Sequence, residues 1–185
     1  METKLDILRR YFGYTSFRRG QEEIVDALLT DRDALCVMPT GAGKSVCYQV
    51  PALLLPGITL VISPLISLMK DQVESLTQAG VHAAYLNSSL SPAQYSRALH
   101  NLSEGLYKLV YVAPERLSTE NFRTAVENLN ISLIAVDEAH CVSQWGQDFR
   151  PGYLKISQFL ESLPKRPVVG AFTATATRQV REDIL

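Results

Sequence analysis

The chain has 185 residues, 46% of them hydrophobic, which matches one ordinary domain with a substantial core. Its 18 Lys and Arg against 19 Asp and Glu leave a net charge of −1. That balance excludes a free-standing polycation that coats nucleic acid, for which a pI above ~9 is usual, so any nucleic-acid contact has to be local.

Residues 1–10 are charged and helix-like, without the apolar segment of a signal peptide. No apolar run approaches the ~20 residues of a membrane span, so a soluble, cytoplasmic protein is expected, nucleoid-associated if bacterial. Leu5, Leu8 and Phe12 recur at helical spacing over 3–12, and Gly13 ends the run. A second helix is predicted over 20–29. Between the two lies Phe17-Arg18-Arg19-Gly20-Gln21-Glu22, whose polar side chains have no obvious core role.

Short apolar runs then alternate with helical stretches. The runs at 34–38, 58–63, 83–86, 109–113, 133–136 and 168–172 are rich in Val, Ile and Leu, as strands buried on both faces are. Helical stretches fall at 44–54, 65–78, 92–102, 119–129 and 154–163. The alternation predicts an α/β fold, a mainly parallel sheet with helices on both faces, as one domain over 1–185. The pattern is still helical at Leu185, and the expectation is a domain cut from a longer chain. Cys36, Cys47 and Cys141 form no C-x-x-C pair and are odd in number, so small buried hydrophobes in a reducing setting are expected, not a disulfide framework.

Met38-Pro39-Thr40-Gly41-Ala42-Gly43-Lys44-Ser45 follows the first strand and opens a helix. Glycines let the backbone curl until its N–H groups face phosphate oxygens at the positive end of that helix. Thr40, Gly41, Ala42 and Gly43 are the predicted cradle; Lys44 would reach the outer phosphates, and Ser45 would offer its hydroxyl to Mg²⁺. The general phosphate-loop pattern has glycine where Met38 stands. Val136-Asp137-Glu138-Ala139-His140 follows a second strand, and in an open parallel sheet the carboxyl ends of strands share one rim. Asp137 is assigned to the metal and Glu138 to the attacking water. Thr173-Ala174-Thr175 closes the strand at 168–172. Two readings of it stay open: an N-cap for the last helix, with Thr175 as the cap, or a hydrogen-bonded relay beside the metal site.

Three rim motifs in this order resemble the first motor domain of a superfamily 2 helicase. The segments between them resemble one family, the RecQ DNA helicases. Residues 17–22 resemble its motif 0, and Met38 to Pro51 its phosphate loop, in a superfamily that does not require the first glycine. Ser63-Pro64-Leu65-Ile66-Ser67-Leu68-Met69-Lys70-Asp71-Gln72 resembles motif Ia, and Tyr111-Val112-Ala113-Pro114-Glu115-Arg116-Leu117 motif Ib. Ser143-Gln144-Trp145-Gly146-Gln147-Asp148-Phe149-Arg150-Pro151 resembles the aromatic-rich loop that marks the family.

The resemblance implies a RecA-like phosphate-loop NTPase domain that binds ATP and Mg²⁺. It also implies a DNA helicase in repair and recombination, travelling 3'-to-5' on single-stranded DNA and opening duplex junctions. A second RecA-like domain of the same full-length chain would close on this one, and the chain alone should be poorly active. Gln21, whose amide can pair with N6 and N7 of adenine, is the implied base reader. Arg18 is implied either to help hold nucleotide or to form an ion pair that caps the fold. In the aromatic-rich loop, Trp145 and Phe149 can stack on unpaired bases; the alternative for Trp145 is to plug the loop onto the core. Gln144, Gln147 and Arg150 belong to the same implied coupling segment. Gln147 stands where the family commonly has histidine, and glutamine cannot titrate near neutrality. Ser63, Lys70 and Arg116 are placed by analogy along the phosphodiester path, while His140 either links the ATP and DNA sites or packs for structure. Two rivals are a small-molecule kinase, against which Trp145 and Phe149 count, and a non-catalytic DNA-binding module, against which Lys44, Asp137 and Glu138 count.

Overall fold

Six strands, β1 (Ala34–Val37), β2 (Ile58–Ile62), β3 (Ala83–Leu86), β4 (Leu109–Val112), β5 (Ile131–Val136) and β6 (Val168–Thr173), pair throughout in parallel. They form one sheet in the order β1-β6-β5-β2-β4-β3. The computed structural model describes residues 1–39, 41–143 and 149–185. Strands and helices fall close to the ranges expected from the alternation. The differences sit at the ends: β5 begins at Ile131, and the stretches before the sixth and seventh helices wind as 3₁₀ turns at Pro114–Ser118 and Pro151–Leu154.

The helices are α1 (Lys4–Phe12), α2 (Gln21–Leu29), α3 (Lys44–Leu54), α4 (Ile66–Gln78), α5 (Pro92–Ser103), α6 (Glu120–Val126), α7 (Lys155–Ser162) and α8 (Arg178–Ile184). Their ends are set locally. Thr3 and Asp6 close a capping box on α1, and Ser91 and Gln94 close another on α5, each satisfying orphan donors of a first turn. The last helix is capped by the Thr177 side chain, which accepts from Val180 N. Thr175 is therefore not its cap, because α8 begins three residues further on, at Arg178.

Alternation along each strand divides the core between the faces. On β4, Leu109 and Tyr111 pack with α2, α3 and α4, while Val110 and Val112 pack with α5, α6 and α7. Both sets are buried, which is why the strands read as continuous apolar runs. Helix α1 lies outside α2 and α3, burying Ile7 and Leu8 against Val25, Val46 and Val50. All three cysteines are buried, and no helix among the described residues is long and apolar enough to cross a membrane.

Strand order positions the site. Because β6 and β5 are inserted between β1 and β2, the loops after β1 and β5 meet on one rim across β6.

Candidate active site

The loop after β1 is bent by two glycines, with φ +84° at Gly41 and +81° at Gly43. Gly43 precedes α3 and offers no side chain to cap it, so the first-turn N–H groups are turned toward the rim without a side-chain partner at the cap. Lys44, half-buried, donates its Nζ to the Met38 carbonyl at 3.2 Å. Across the rim, β5 delivers Asp137 and Glu138. Asp137 Oδ1 accepts from Glu138 N at 3.0 Å, and the turn puts Glu138 at φ +50°, an uncommon conformation for a residue with a side chain. Such departures cost on the order of 1–3 kcal/mol and persist where the surroundings fix them. One fixing contact is Tyr153, whose hydroxyl donates to the Asp137 carbonyl at 2.8 Å.

Both motifs open into one cavity of about 480 Å³. Gly41, Gly43, Lys44, Ser45, Asp137 and Glu138 line it together with Arg18 and Gln21. Its size lies within the ~300–1,000 Å³ usual for small-molecule sites. Burial, then the charge of Glu138, pushes the Asp137 carboxyl up to about 6, even though Lys44 and His140 pull it down. A cation bound there would offset that cost of ionising a buried carboxyl, and the Asp137 carboxylate with the Ser45 hydroxyl is a donor set of the oxygen type that Mg²⁺ takes.

Gln21 is buried, at 4% exposure, and its amide is spent on the phosphate loop. Its Nε2 donates to the Ala42 carbonyl at 3.3 Å and the Gly43 carbonyl at 3.0 Å, while its Oε1 accepts from Arg18 N at 2.7 Å. Arg18 Nη1 donates to the Gly41 carbonyl at 3.0 Å, so the guanidinium braces the same loop and has no ion-pair partner among the described residues. Tyr14 was not singled out by its sequence, yet it lines the cavity with its ring half-exposed, 5.9 Å from the Arg18 guanidinium carbon. A glycine-flanked aromatic ahead of motif 0 was the available signal.

On the rim between carboxylates and β6, His140 Nδ1 lies 2.8 Å from Thr173 Oγ1 and 3.4 Å from Glu138 Oε2. The Thr173 hydroxyl donates to the Thr175 carbonyl at 2.9 Å, so it accepts from His140, whose proton is on Nδ1. His140 thus hydrogen-bonds the strand end and lies beside the Glu138 carboxylate, with exposed Thr175 closing the turn.

The residues placed by analogy along a phosphodiester path lie at the ends of β2 and β4 and on α4. Ser63 is buried in the cavity wall, its Oγ accepting from Leu65 N, whereas Lys70 is exposed on α4 beside Glu74. Arg116 stacks its guanidinium 4.8 Å from the centre of the Tyr95 ring. Phe149 is half-buried and Arg150 exposed. Thr40, Gln144, Trp145 and Gln147 lie outside the described residues.

A parallel six-stranded sheet with a glycine-bent loop on a helix N-terminus and a carboxylate pair two strands away defines a RecA-like phosphate-loop NTPase domain. Residues 18–184 match the DEAD/DEAH box helicase model, and the chain belongs to that family. It is 51% identical over 179 residues to ATP-dependent DNA helicase RecQ of Bacillus subtilis (strain 168), covering 96% of this chain and 30% of that protein. It is 50% identical over 184 residues to ATP-dependent DNA helicase RecQ of Pasteurella multocida (strain Pm70), covering 100% of this chain and 29% of that protein. The chain thus spans under a third of the length of these relatives. Helicase MrfA, in a crystal structure bound to DNA and AMPPNP, superposes with a TM-score of 0.77 at 17% identity over 100% of this chain and 28% of that one. At that identity the match carries the fold alone.

Proposed function

We propose that this chain is the ATP-binding first motor domain of a RecQ-type DNA helicase. The observation that carries the reading is the single cavity into which Lys44, Ser45, Asp137 and Glu138 all open. The loop N–H groups and Lys44 bind the phosphates of ATP; Ser45 and Asp137 hold Mg²⁺. When bound, that ion neutralises charge developing on the terminal phosphate. Glu138, held by its turn and beside His140, orients the attacking water and takes its proton. His140 and Thr173 tie the carboxylate to the rim that leads to the aromatic-rich loop, so Trp145, Phe149 and Arg150 are the proposed route by which single-stranded DNA influences hydrolysis. Lys70 and Arg116 are proposed phosphate contacts, and junction DNA and the second RecA-like domain are the proposed partners.

Gln21 has two proposed duties. It braces the loop as its hydrogen bonds indicate, and it reads adenine by releasing at least one of them, with Tyr14 offering a ring face to the base. Calorimetry of Mg²⁺-ATP and Mg²⁺-GTP separates them. Wild type should prefer ATP, Lys44→Ala should lose both ligands, and Gln21→Ala should lose the preference. An equal loss for both nucleotides in Gln21→Ala leaves only the bracing duty, and nucleotide binding undiminished in Lys44→Ala overturns the site.

A further inference from the structure

A group of polar side chains, buried except for half-buried Gln72, lies against the cavity but holds none of the phosphate-binding atoms. Gln49, in the second turn of α3, donates its Nε2 to Gln72 Oε1 on α4 at 2.8 Å and to the Tyr111 hydroxyl on β4 at 3.0 Å. The Tyr111 and Tyr48 hydroxyls are 3.3 Å apart. Gln49, Tyr48 and Tyr111 are each no more than 3% exposed. The group is also a partition. Tyr48, Tyr111 and Gln72 line the nucleotide cavity, while Gln49 and Gln72 line a smaller one of about 260 Å³ beneath Tyr11 and Phe12 of α1.

Apolar packing of the same shape would hold α3 against α4 at least as well, since a buried hydrogen bond only replaces one that water would make in the unfolded chain. What the polar group adds is intolerance of displacement. Both N–H groups of Gln49 are spent, and separating either partner leaves a buried donor unmatched, which costs more than the bond itself contributes. The N-terminus of α3, where the proposed function seats the phosphates, lies one turn before Gln49. At the other end, α4 carries exposed Ile66, Leu68 and Lys70 on the same rim and is otherwise anchored by Met69, Val73 and Leu76. A small shift of α3 therefore reaches α4 through Gln72 before it reaches any other polar contact between the two helices.

We propose that Gln49, Tyr111 and Gln72 form a positioning relay through which filling of the nucleotide cavity fixes helix α4, presenting its exposed face to single-stranded DNA. The inference rests on the ATP-binding reading.

Hydrogen–deuterium exchange of this chain with and without Mg²⁺-AMPPNP, beside calorimetry on the same samples, measures it. In wild type the nucleotide should slow exchange in the loop at 41–46 and, by about fivefold or more, across Ile66–Gln78. In Gln72→Leu, binding and loop protection should persist while protection of α4 is lost. Gln72→Glu, which keeps an acceptor oxygen for Gln49, should restore part of it. Tyr111→Phe, which removes one hydroxyl and little volume, should weaken the α4 response in the same direction if Gln72→Leu fails to fold. Protection of α4 that survives in both variants, or never appears in nucleotide-bound wild type, overturns the relay alone. Failure of wild type to bind nucleotide overturns the relay and the ATP reading together.

Discussion

An ionised carboxylate at position 137 costs the folded chain free energy, because burial and the neighbouring Glu138 push its pKa up from 3.8 to about 6. The folded state binds this proton more tightly than the unfolded state. The stability it contributes is therefore fully present below about pH 4 and lost as pH rises through about 6. At 1.36 kcal/mol per pKa unit the ionised form at neutral pH forgoes up to about 3 kcal/mol, an upper figure given partial access to solvent. Asp137→Asn keeps an oxygen to accept from Glu138 N and removes the charge. Its nucleotide-free, chelator-treated form should melt several degrees above wild type at pH 7.5, and the two should converge near pH 4. An unchanged melting temperature at pH 7.5 would mean the carboxylate is already well solvated. That Lys44, Asp137 and Glu138 would meet on one rim was legible in the sequence because each motif is contiguous and directly follows a strand. Gln49 and Tyr111 were not, since they meet from 62 residues apart and only the folded sheet brings them together. The hydrogen bonds of Gln21 to the loop were hidden for the same reason.

The phosphate loop shows the same limit one level up, where a glycine pair is visible in sequence but its two members do different work. At Gly41 a Cβ would meet nothing within 4 Å, so alanine there faces only the left-handed backbone, about 1–2 kcal/mol. At Gly43 a Cβ would sit 2.5 Å from Gln21 Nε2, so alanine must also expel the amide that braces the Ala42 and Gly43 carbonyls. Gly41→Ala should weaken ATP binding by roughly 5- to 30-fold, the equivalent of that strain. Gly43→Ala should weaken it further, and the excess should shrink when Gln21→Ala is already present. Calorimetry on the four variants of that cycle measures the coupling; additive losses would mean Gln21 yields without cost. Strand positions were legible to within a residue or two because Val, Ile and Leu runs alternate with helical spacing. Strand order was not, since nothing local says that β6 lies between β1 and β5. The 3₁₀ turns at Pro114–Ser118 and Ala139–Val142 were likewise absorbed into neighbouring motifs, for they are too short to show a period.

At the scale of the whole molecule, the cavity is supplied on one side only. Among the described residues Arg18 is the arginine that lines it, and its Nη1 is already committed to the Gly41 carbonyl at 3.0 Å. Charge developing on a terminal phosphate would be met here by Lys44 and by bound Mg²⁺, with no described arginine aimed from the carboxylate side. In related phosphate chemistry an added arginine is worth about 10³ to 10⁵ in rate, with little need for tighter ground-state binding. This chain alone should therefore bind Mg²⁺-ATP yet turn it over slowly, with little response to single-stranded DNA. A longer chain that includes a second RecA-like domain should gain chiefly in kcat, with KM for ATP moving far less. Steady-state hydrolysis by both forms, with and without a single-stranded oligonucleotide, makes the comparison. Vigorous DNA-dependent turnover by this chain would mean that the described half of the cavity is already sufficient. A gain confined to KM would instead make the second domain a binding clamp, and the rate chemistry would then have to be sought in Glu138 and His140.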